Sequence, residues 1–273
     1  MKNNSLQGCS VVVTRPSAQA QGLAELIENA GGNVILFPVL KITPIDDNSE
    51  LDTLIHEIEQ YSILIFISPN AVNFGLSYIL KQRQIPDNCK IATVGKGSAR
   101  CAKELLKRDI DIVPEAFDGQ SGGYNSESLL SLPALKNVAN HKIAILRGNG
   151  GRKMLGDTLR DRAAQVRYIN TYQRTIPDDE QLENRIQKLI THVKNIDSMC
   201  VTITSEASLT NFLTLLGTHA ATWLNNSQLI VINERLVSIA QQLGFKKQAI
   251  VALNASDQAL ADSVANWYSN KAK

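Results

Sequence analysis

The stretch VVVTRPSAQAQGLAELIENAGGNVILFPVLKIT, residues 11–43, decides the fold because a second stretch of the chain repeats it. Residues 143–175 read IAILRGNGGRKMLGDTLRDRAAQVRYINTYQRT, and an offset of 132 places Arg147 on Arg15. Each copy runs from an apolar strand through an arginine and a loop to an amphipathic helix and a second strand. Two further pairs of segments match in the same order, at offsets of 136 and 138. The chain is therefore interpreted as an internal duplication.

Both halves alternate short apolar strands with helical segments. This rhythm is typical of parallel sheets with helices on both faces. It predicts an α/β fold with two flavodoxin- or Rossmann-like domains of five strands each. The repeat alone would divide the chain in tandem near residue 138. Residues 115–125 and 215–227 are interpreted as variable loops.

The composition excludes several classes of protein. Lysines and arginines number 28 against 26 acids, a net charge of +2, so we expect neither a nucleic-acid nor a membrane partner. No apolar run reaches the ~18 residues of a membrane span, and the first residues lack the apolar region of a signal peptide. Together with the scattered cysteines, this predicts a cytoplasmic protein. The cysteines and histidines show no metal-ligand spacing, so no metal is expected.

The glycine-rich segment RGNGGR, residues 147–152, raises the question of a phosphate-binding loop. A dinucleotide fingerprint needs a third glycine where Lys153 stands, and the Gly-Lys-Ser/Thr of a P-loop is absent. The first copy, RPSAQA at residues 15–20, keeps the arginine and lacks the glycines. This pattern disfavours a nucleotide-dependent transferase and favours an anion site at the ends of two strands.

Polar residues follow the predicted strands in both halves, where open parallel sheets bind their ligands. The predicted ligand-binding residues are Arg15, Ser68, Asn70, Gly95 and Ser98 in one series, and Arg147, Gly148, Ser205, Glu206 and Asn233 in the other. Simpler roles remain open for several of them. The two serines are also suited to capping helices, and the two arginines to bridging surface acids.

Six stretches of the chain, between about residues 10 and 267, together resemble uroporphyrinogen-III synthases. They are VTRPSAQAQGLAELIENAGGNVILFPVLKI, SPNAV, VGKGSA, SESLL, ILRGNGGRKMLGDTLRDRAAQVRYINTYQRT and INERLVSIAQQLG; ILRGNGGR followed by TYQR is the most specific. The resemblance implies an enzyme that removes the terminal hydroxyl of hydroxymethylbilane, a linear polycarboxylate tetrapyrrole, and closes the macrocycle. Ring D is inverted in the product, uroporphyrinogen III, and no metal or organic cofactor is needed. The glycines of RGNGGR would then allow the backbone to approach a bulky ligand closely.

The resemblance also replaces the tandem division of the chain. It implies two discontinuous domains, residues 1–38 with 176–273 and residues 39–175, with the substrate in a cleft between them. The chain would cross at PVLKITP (38–44) and NTYQRTI (170–176), which form an extended two-segment hinge. A monomer is implied, and a transient contact with the preceding enzyme of the pathway is left open.

The resemblance makes Tyr172 the leading candidate for assisting loss of the substrate hydroxyl. A phenol stays protonated at neutral pH and can donate to a departing oxygen. Tyr168 is the fallback, and packing of Tyr172 across the hinge is the structural alternative. The competing function is a non-catalytic binder that closes on an anionic ligand. The presence of Tyr172 and of intact loops in both halves favours the enzyme.

Overall fold

The structure, a computed structural model, describes residues 4–114, 125–150, 153–178, 180–191 and 197–271. The chain divides into two compact units. Unit 1 is Met1–Lys41 with Thr175–Lys273, and unit 2 is Ile42–Arg174. A tandem division near residue 138 is wrong, since that position lies inside unit 2. The following predicted features lie outside the described residues: Gly151, Arg152, His192 and all of the 115–125 loop except Asn125.

Ten strands are found among the described residues: β1 (Ser10–Val13), β2 (Asn33–Leu36), β3 (Lys41–Pro44), β4 (Ile63–Phe66), β5 (Lys90–Thr93), β6 (Lys142–Gly148), β7 (Gln165–Thr175), β8 (Met199–Ile203), β9 (Gln228–Val231) and β10 (Ile250–Val251). The α-helices in the same residues are α1 (Ser17–Asn29), α2 (Ser49–His56), α3 (Pro69–Ala71), α4 (Ser77–Gln82), α5 (Lys96–Leu106), α6 (Ser126–Ser131), α7 (Pro133–Lys136), α8 (Met154–Asp161), α9 (Leu182–Thr191), α10 (Glu206–Leu216), α11 (Ala220–Asn226), α12 (Glu234–Gln242) and α13 (Asp257–Lys271). A π-helical turn, Val72–Leu76, joins α3 to α4.

The sheet of unit 1 has the strand order β10-β9-β8-β1-β2, and its strands pair in parallel. Alternate residues of each strand face opposite sides of a sheet, and β1 shows the consequence. Val12 packs into a core with Phe212 and Trp223, whereas Val11 and Val13 pack into a second core on the other face. Both faces are therefore buried, as expected for a parallel sheet covered by helices.

The sheet of unit 2 has the order β3-β7-β6-β4-β5, and the pairings of β4 with β5 and β6, and of β6 with β7, are parallel. Ile112 adds a single parallel bridge to Ala92 of β5, on the outer side of the sheet. Unit 1 therefore runs β2-β1-β8-β9-β10, the flavodoxin-like order in which the second strand lies outside the first. Counted from β6, unit 2 repeats this arrangement as β7-β6-β4-β5 with the Ile112 bridge, and β3 is added beyond β7. The α/β fold predicted from the sequence is confirmed.

The two copies differ in their final strand segment, which forms two strands in the first copy and one in the second. β7 runs without interruption, whereas β2 and β3 are separated and belong to different sheets. Pro38 lies in the gap, and Asn170 of β7 occupies the equivalent position at the 132 offset. Proline has no N–H to donate and is tolerated here because β2 is an edge strand; the Phe37 and Val39 N–H groups on either side still donate to the Val13 and Thr14 carbonyls at 3.0 and 3.1 Å.

The interpretation of residues 215–227 as a loop is wrong. The segment contains the end of α10 and the whole of α11. Trp223 of α11 is fully buried and meets Phe212 edge-on, with ring centroids 5.4 Å apart. The sequence gives little sign of this helix because it is only seven residues long and four of them are exposed; Trp223 is fully buried, and Ala220 and Leu224 pack partly buried against the same core. None of the helices in the described ranges has both the length and the apolar character that crossing a bilayer requires.

Candidate active site

The carboxyl ends of four strands bring a polar group to one edge of the unit 2 sheet. Ser68 follows β4, Gly95 follows β5, Arg147 lies at the end of β6, and Tyr172 lies near the end of β7. Ser68 has an extended backbone, with φ −157° and ψ 159°, and its Oγ accepts a hydrogen bond from the Ala71 N–H at 3.1 Å. It therefore caps the helical run that begins with α3.

Tyr172 is 2% exposed and its hydroxyl oxygen lies 3.1 Å from Ser68 Oγ. Its ring stacks on Phe74, with centroids 6.1 Å apart and planes at 30°. The tyrosine is on β7 and the serine follows β4, and β6 lies between these two strands. The side chain therefore reaches across β6 to make the hydroxyl contact.

The crossing point is Gly148. A Cβ atom at this residue would lie 2.5 Å from both Cε2 and Cζ of Tyr172, closer than non-bonded atoms approach each other. The sequence predicted close approach of a ligand to these glycines, which stays a prediction; at Gly148 the close neighbour in the structure is the ring of Tyr172. Gly150 has φ +79° and an open surrounding, so backbone conformation is the reason for glycine at that position.

An irregularity in β7 aims Tyr172 at this position. Arg147 pairs with Asn170 but Gly148 pairs with Tyr172, so one extra residue is inserted in β7. Strict alternation would send residues 169 and 172 to opposite faces of the sheet. The bulge brings Ile169 and Tyr172 into the same core. Periodicity along the chain showed no sign of this shift.

Arg147 carries the strongest sign of a missing partner. Its guanidinium stacks on the Tyr168 ring, with Cζ 4.0 Å from the centroid. Its Nε and Nη1 atoms are buried, and neither has a hydrogen-bond acceptor among the described residues. Buried donors without an acceptor are costly, especially on a charged group. The arrangement therefore suits an added anion.

Tyr168, the fallback proton donor, is engaged in holding the start of α8. Its hydroxyl donates to the Lys153 carbonyl at 2.8 Å and accepts from the Gly156 N–H at 3.1 Å. Arg160 lies 5.2 Å from the ring centroid. Both hydrogen-bonding roles of the hydroxyl are filled, so Tyr168 is less suited than Tyr172 to give up a proton.

The predicted binding residues of unit 1 have partners within that unit. Arg15 forms an ion pair with Asp257 and also donates to the Ala255 carbonyl. Ser205 Oγ caps α10 by accepting from the Ser208 N–H at 3.0 Å. The capping and ion-pairing alternatives are thus observed for these two residues.

Other polar residues of unit 1 border a cavity of about 110 Å³ beside Ser205. Glu206 and Arg235 form an exposed ion pair at 2.7 Å, and Asn233 caps α12 through the Leu236 N–H at 3.0 Å. These groups present a mixed-charge surface at the carboxyl ends of β8 and β9.

The remaining predicted residues of unit 2 have mainly structural surroundings. Asn70 is half-buried in the first turn after Ser68, Gly95 is the extended residue before α5, and Ser98 is buried to 3% exposure. Two residues near Tyr172 were not predicted. No motif or periodic pattern in the sequence indicates Phe74. Arg174 belongs to the TYQR motif, and its Cζ lies 5.9 Å from the Tyr172 ring centroid.

Over the described ranges, no group of three or more His, Cys, Asp or Glu side chains is arranged to hold a metal ion.

A family model described as uroporphyrinogen-III synthase HemD matches residues 21–262. The chain belongs to the uroporphyrinogen-III synthase family. The family predicted from the sequence is confirmed.

Relatives from distant organisms match most of the chain. The uroporphyrinogen-III synthase of Escherichia coli is 30% identical over 253 residues, which cover 92% of this chain and 98% of that protein. A putative uroporphyrinogen-III synthase of Methanocaldococcus jannaschii is 29% identical over 238 residues, covering 86% and 90% of the two chains. The family converts hydroxymethylbilane to uroporphyrinogen III in tetrapyrrole biosynthesis, as the sequence analysis predicted.

Solved structures show the same fold at lower identity. Uroporphyrinogen-III synthetase from Helicobacter pylori superposes with a TM-score of 0.61 at 16% identity, covering 95% of this chain and 99% of the other. A mutant uroporphyrinogen III synthase from Thermus thermophilus gives a TM-score of 0.56 at 15% identity, with coverage of 97% and 99%. These structures support the fold of the family.

Proposed function

We propose that this protein cyclises and dehydrates hydroxymethylbilane to uroporphyrinogen III, with inversion of ring D. The observation that carries this proposal is the 30% identity to the Escherichia coli synthase, which extends over 98% of that enzyme. A short local match could mark a shared fold only, whereas this match extends over 253 residues, 92% of this chain.

The substrate-binding role of Arg147 rests on its unmatched donors. The substrate is a polycarboxylate, and a guanidinium presents planar donors suited to a carboxylate. Stacking on Tyr168 holds that plane in place. We assign a substrate carboxylate to the Arg147 guanidinium, whose buried Nε and Nη1 atoms have no acceptor among the described residues. Arg15, Ser205 and Glu206 remain proposed contacts of lesser weight, because each already has a partner in unit 1.

Backbone groups supply a second set of donors. The starts of α5 and α10 follow Gly95 and Ser205, and the first N–H groups of a helix favour anions. The start of α3 after Ser68 contributes less, because Pro69 has no N–H and the Ala71 N–H donates to Ser68 Oγ. Asn70, Ser98 and Gly148 stay in the proposed set as neighbours of these ends. Such distributed donors would bind a flexible polycarboxylate in one conformation, which favours closure of the correct macrocycle.

Tyr172 is the proposed proton donor for the leaving hydroxyl. Departure of hydroxide from the substrate is assisted by a proton, and the substrate retains the positive charge. The proton moves from the phenol to the leaving oxygen, the C–O bond breaks and water departs; the Tyr172 phenolate then takes back the proton that the substrate cation loses after ring closure. The support for Tyr172 is its hydroxyl contact with Ser68 at the same sheet edge as Arg147. Tyr168 has its hydroxyl committed to the backbone.

The proposal extends to organisation in the cell. The two units act as domains, residues 1–38 with 176–273 and residues 39–175, connected by the two extended segments. We assign a cytoplasmic monomer with no cofactor, which meets the preceding pathway enzyme only transiently. Size-exclusion chromatography with light scattering, alone and with that enzyme, tests the oligomeric state and the contact.

The deciding experiment supplies hydroxymethylbilane, generated in situ, and separates the porphyrin isomers after oxidation. Free hydroxymethylbilane closes unaided to isomer I, so this product is an internal reference for the uncatalysed rate. We expect the protein to yield isomer III in proportion to its concentration. Isomer I alone would refute the enzyme, and binding of the substrate without isomer III would identify a non-catalytic binder.

A further inference from the structure

The Ser68 Oγ has two hydrogen-bond partners among the described residues, and together they restrict the direction of its proton. Its Oγ accepts from the Ala71 N–H and lies 3.1 Å from the Tyr172 hydroxyl. A serine hydroxyl has one proton and two acceptor positions. The helix N–H takes one acceptor position, so the serine proton remains available for the tyrosine oxygen.

The direction of the Ser68–Tyr172 bond decides whether the phenol can act. If Tyr172 donated to Ser68, its proton would be held by the serine. If Ser68 donates to Tyr172, the phenol proton is free for another acceptor. A hydroxyl that accepts a hydrogen bond becomes a stronger donor, since bonds in a chain polarise one another. The Ala71 N–H therefore favours donation from Ser68 to Tyr172.

The tyrosine cannot easily turn away from this contact. Gly148 lies against one part of the ring and Phe74 stacks on it. With 2% exposure, the side chain has little space for another orientation. The ring position is therefore set by packing, and the orientation of the hydroxyl proton by Ser68.

The equivalent helix cap in unit 1 shows that capping alone does not explain the contact. Ser205 has nearly the same backbone, with φ −157° and ψ 158°, and caps α10 in the same way. Its Oγ lies 2.7 Å from the hydroxyl of Ser208, three residues later. The residue three positions after Ser68 is Ala71, which has no hydroxyl. The serine of unit 2 is thus left free to bind the phenol.

We propose that Ser68 is a positioning residue, which donates to the Tyr172 oxygen and directs the phenol proton at the leaving hydroxyl. It acts through Tyr172 and not on a substrate carboxylate, so it replaces the binding role predicted from the sequence. The inference rests on the proposed function, in which Tyr172 is the proton donor.

The kinetic test compares Ser68→Ala with Ser68→Thr in the isomer III assay. Loss of one hydrogen bond that aligns the acid lowers kcat by about tenfold, and KM stays near the wild-type value. Threonine retains the hydroxyl and the cap, so Ser68→Thr restores most of kcat. The matched control is Asn125→Ala, which removes the side-chain cap of α6 in the same unit and leaves kcat unchanged.

Repeating Ser68→Ala in the Tyr172→Phe protein tests whether Ser68 affects kcat through Tyr172. In the Tyr172→Phe protein the phenol oxygen is absent, so adding Ser68→Ala should lower kcat no further. If Ser68→Ala lowers kcat by the same factor in both backgrounds, Ser68 does not act through Tyr172 and the inference is overturned. A rise in KM at unchanged kcat overturns it as well, in favour of direct substrate binding.

The hydrogen bond is also measurable without turnover. The deuterium isotope shift on ¹³Cζ of labelled tyrosine distinguishes slowly from rapidly exchanging hydroxyls, and Tyr172→Phe assigns the signal. If Tyr172 donated to Ser68, its hydroxyl would exchange more slowly in the wild type than in Ser68→Ala. We expect the two proteins to exchange this hydroxyl at similar rates, since Ser68 donates to Tyr172 and does not hold its proton. Faster exchange in Ser68→Ala would overturn the inference. A wild type without isomer III but with equal exchange rates would instead refute the proposed function.

Discussion

Substitution of Gly148 by alanine tests whether the position of Tyr172 controls the reaction. The added Cβ would lie 2.5 Å from two ring carbons of Tyr172. Carbon atoms in contact prefer about 3.5–4.0 Å, so the ring has to move by about 1 Å. The backbone of Gly148 does not have the positive φ that favours glycine, so the clash is the main perturbation.

The expected magnitudes follow from that displacement. Overfilling a packed core costs about 1–3 kcal/mol of unfolding free energy. A shift of about 1 Å also stretches the 3.1 Å contact between Tyr172 and Ser68 beyond hydrogen-bonding distance. Misplacing a reacting group by about 1 Å can cost about 100-fold in rate. We therefore expect kcat for isomer III to fall by about 100-fold, while KM changes little.

The assay measures isomer III against the isomer I formed spontaneously, with thermal unfolding followed in parallel. The matched control is Gly156→Ala, whose Cβ would lie 2.2 Å from the Tyr168 hydroxyl oxygen. It should cost comparable stability and keep kcat, with a rise in KM because Arg147 stacks on Tyr168. If Gly148→Ala loses stability but keeps the wild-type kcat, the placement of Tyr172 does not matter for catalysis and our reasoning fails.

Three further predictions have distinct outcomes. Tyr172→Phe should keep the fold and lower the rate of isomer III formation by about 10²- to 10⁴-fold. Tyr168→Phe should lower the stability and keep the rate. The reverse result in the isomer assay would show that Tyr168 is the proton donor. Arg147→Ala should weaken substrate binding by about 1–3 kcal/mol, seen as a higher KM, and an unchanged KM would remove this residue from the site. Burial raises the pKa of the Cys89 thiol to about 12. Because the thiolate is the reactive form, iodoacetamide at pH 8 should not alkylate Cys89 in the folded protein. Rapid labelling of this residue, detected by mass spectrometry, would contradict its buried position.

The sequence predicted more of the fold than of the site, because the duplication and the periodicity of apolar residues are both visible in the order of residues along the chain. Matching Arg15 with Arg147 was enough to align two strand–helix–strand units, and the parallel α/β class followed. The same reasoning assigned one role to both arginines, yet their surroundings differ. Arg15 pairs with Asp257, a residue far along the chain, while Arg147 has unmatched buried donors. Sequence symmetry cannot reveal which partner each charge will find.

The sequence by itself determined the family, the duplicated α/β fold and the strand ends at which the candidate site residues lie. These follow from residue patterns that are read along the chain. The tertiary structure alone decided how Tyr172 reaches Ser68. A bulge in β7 changes the face of the tyrosine, and Gly148 on the intervening strand leaves room for its ring. Both depend on the register between strands and on close packing, which act between residues distant in sequence.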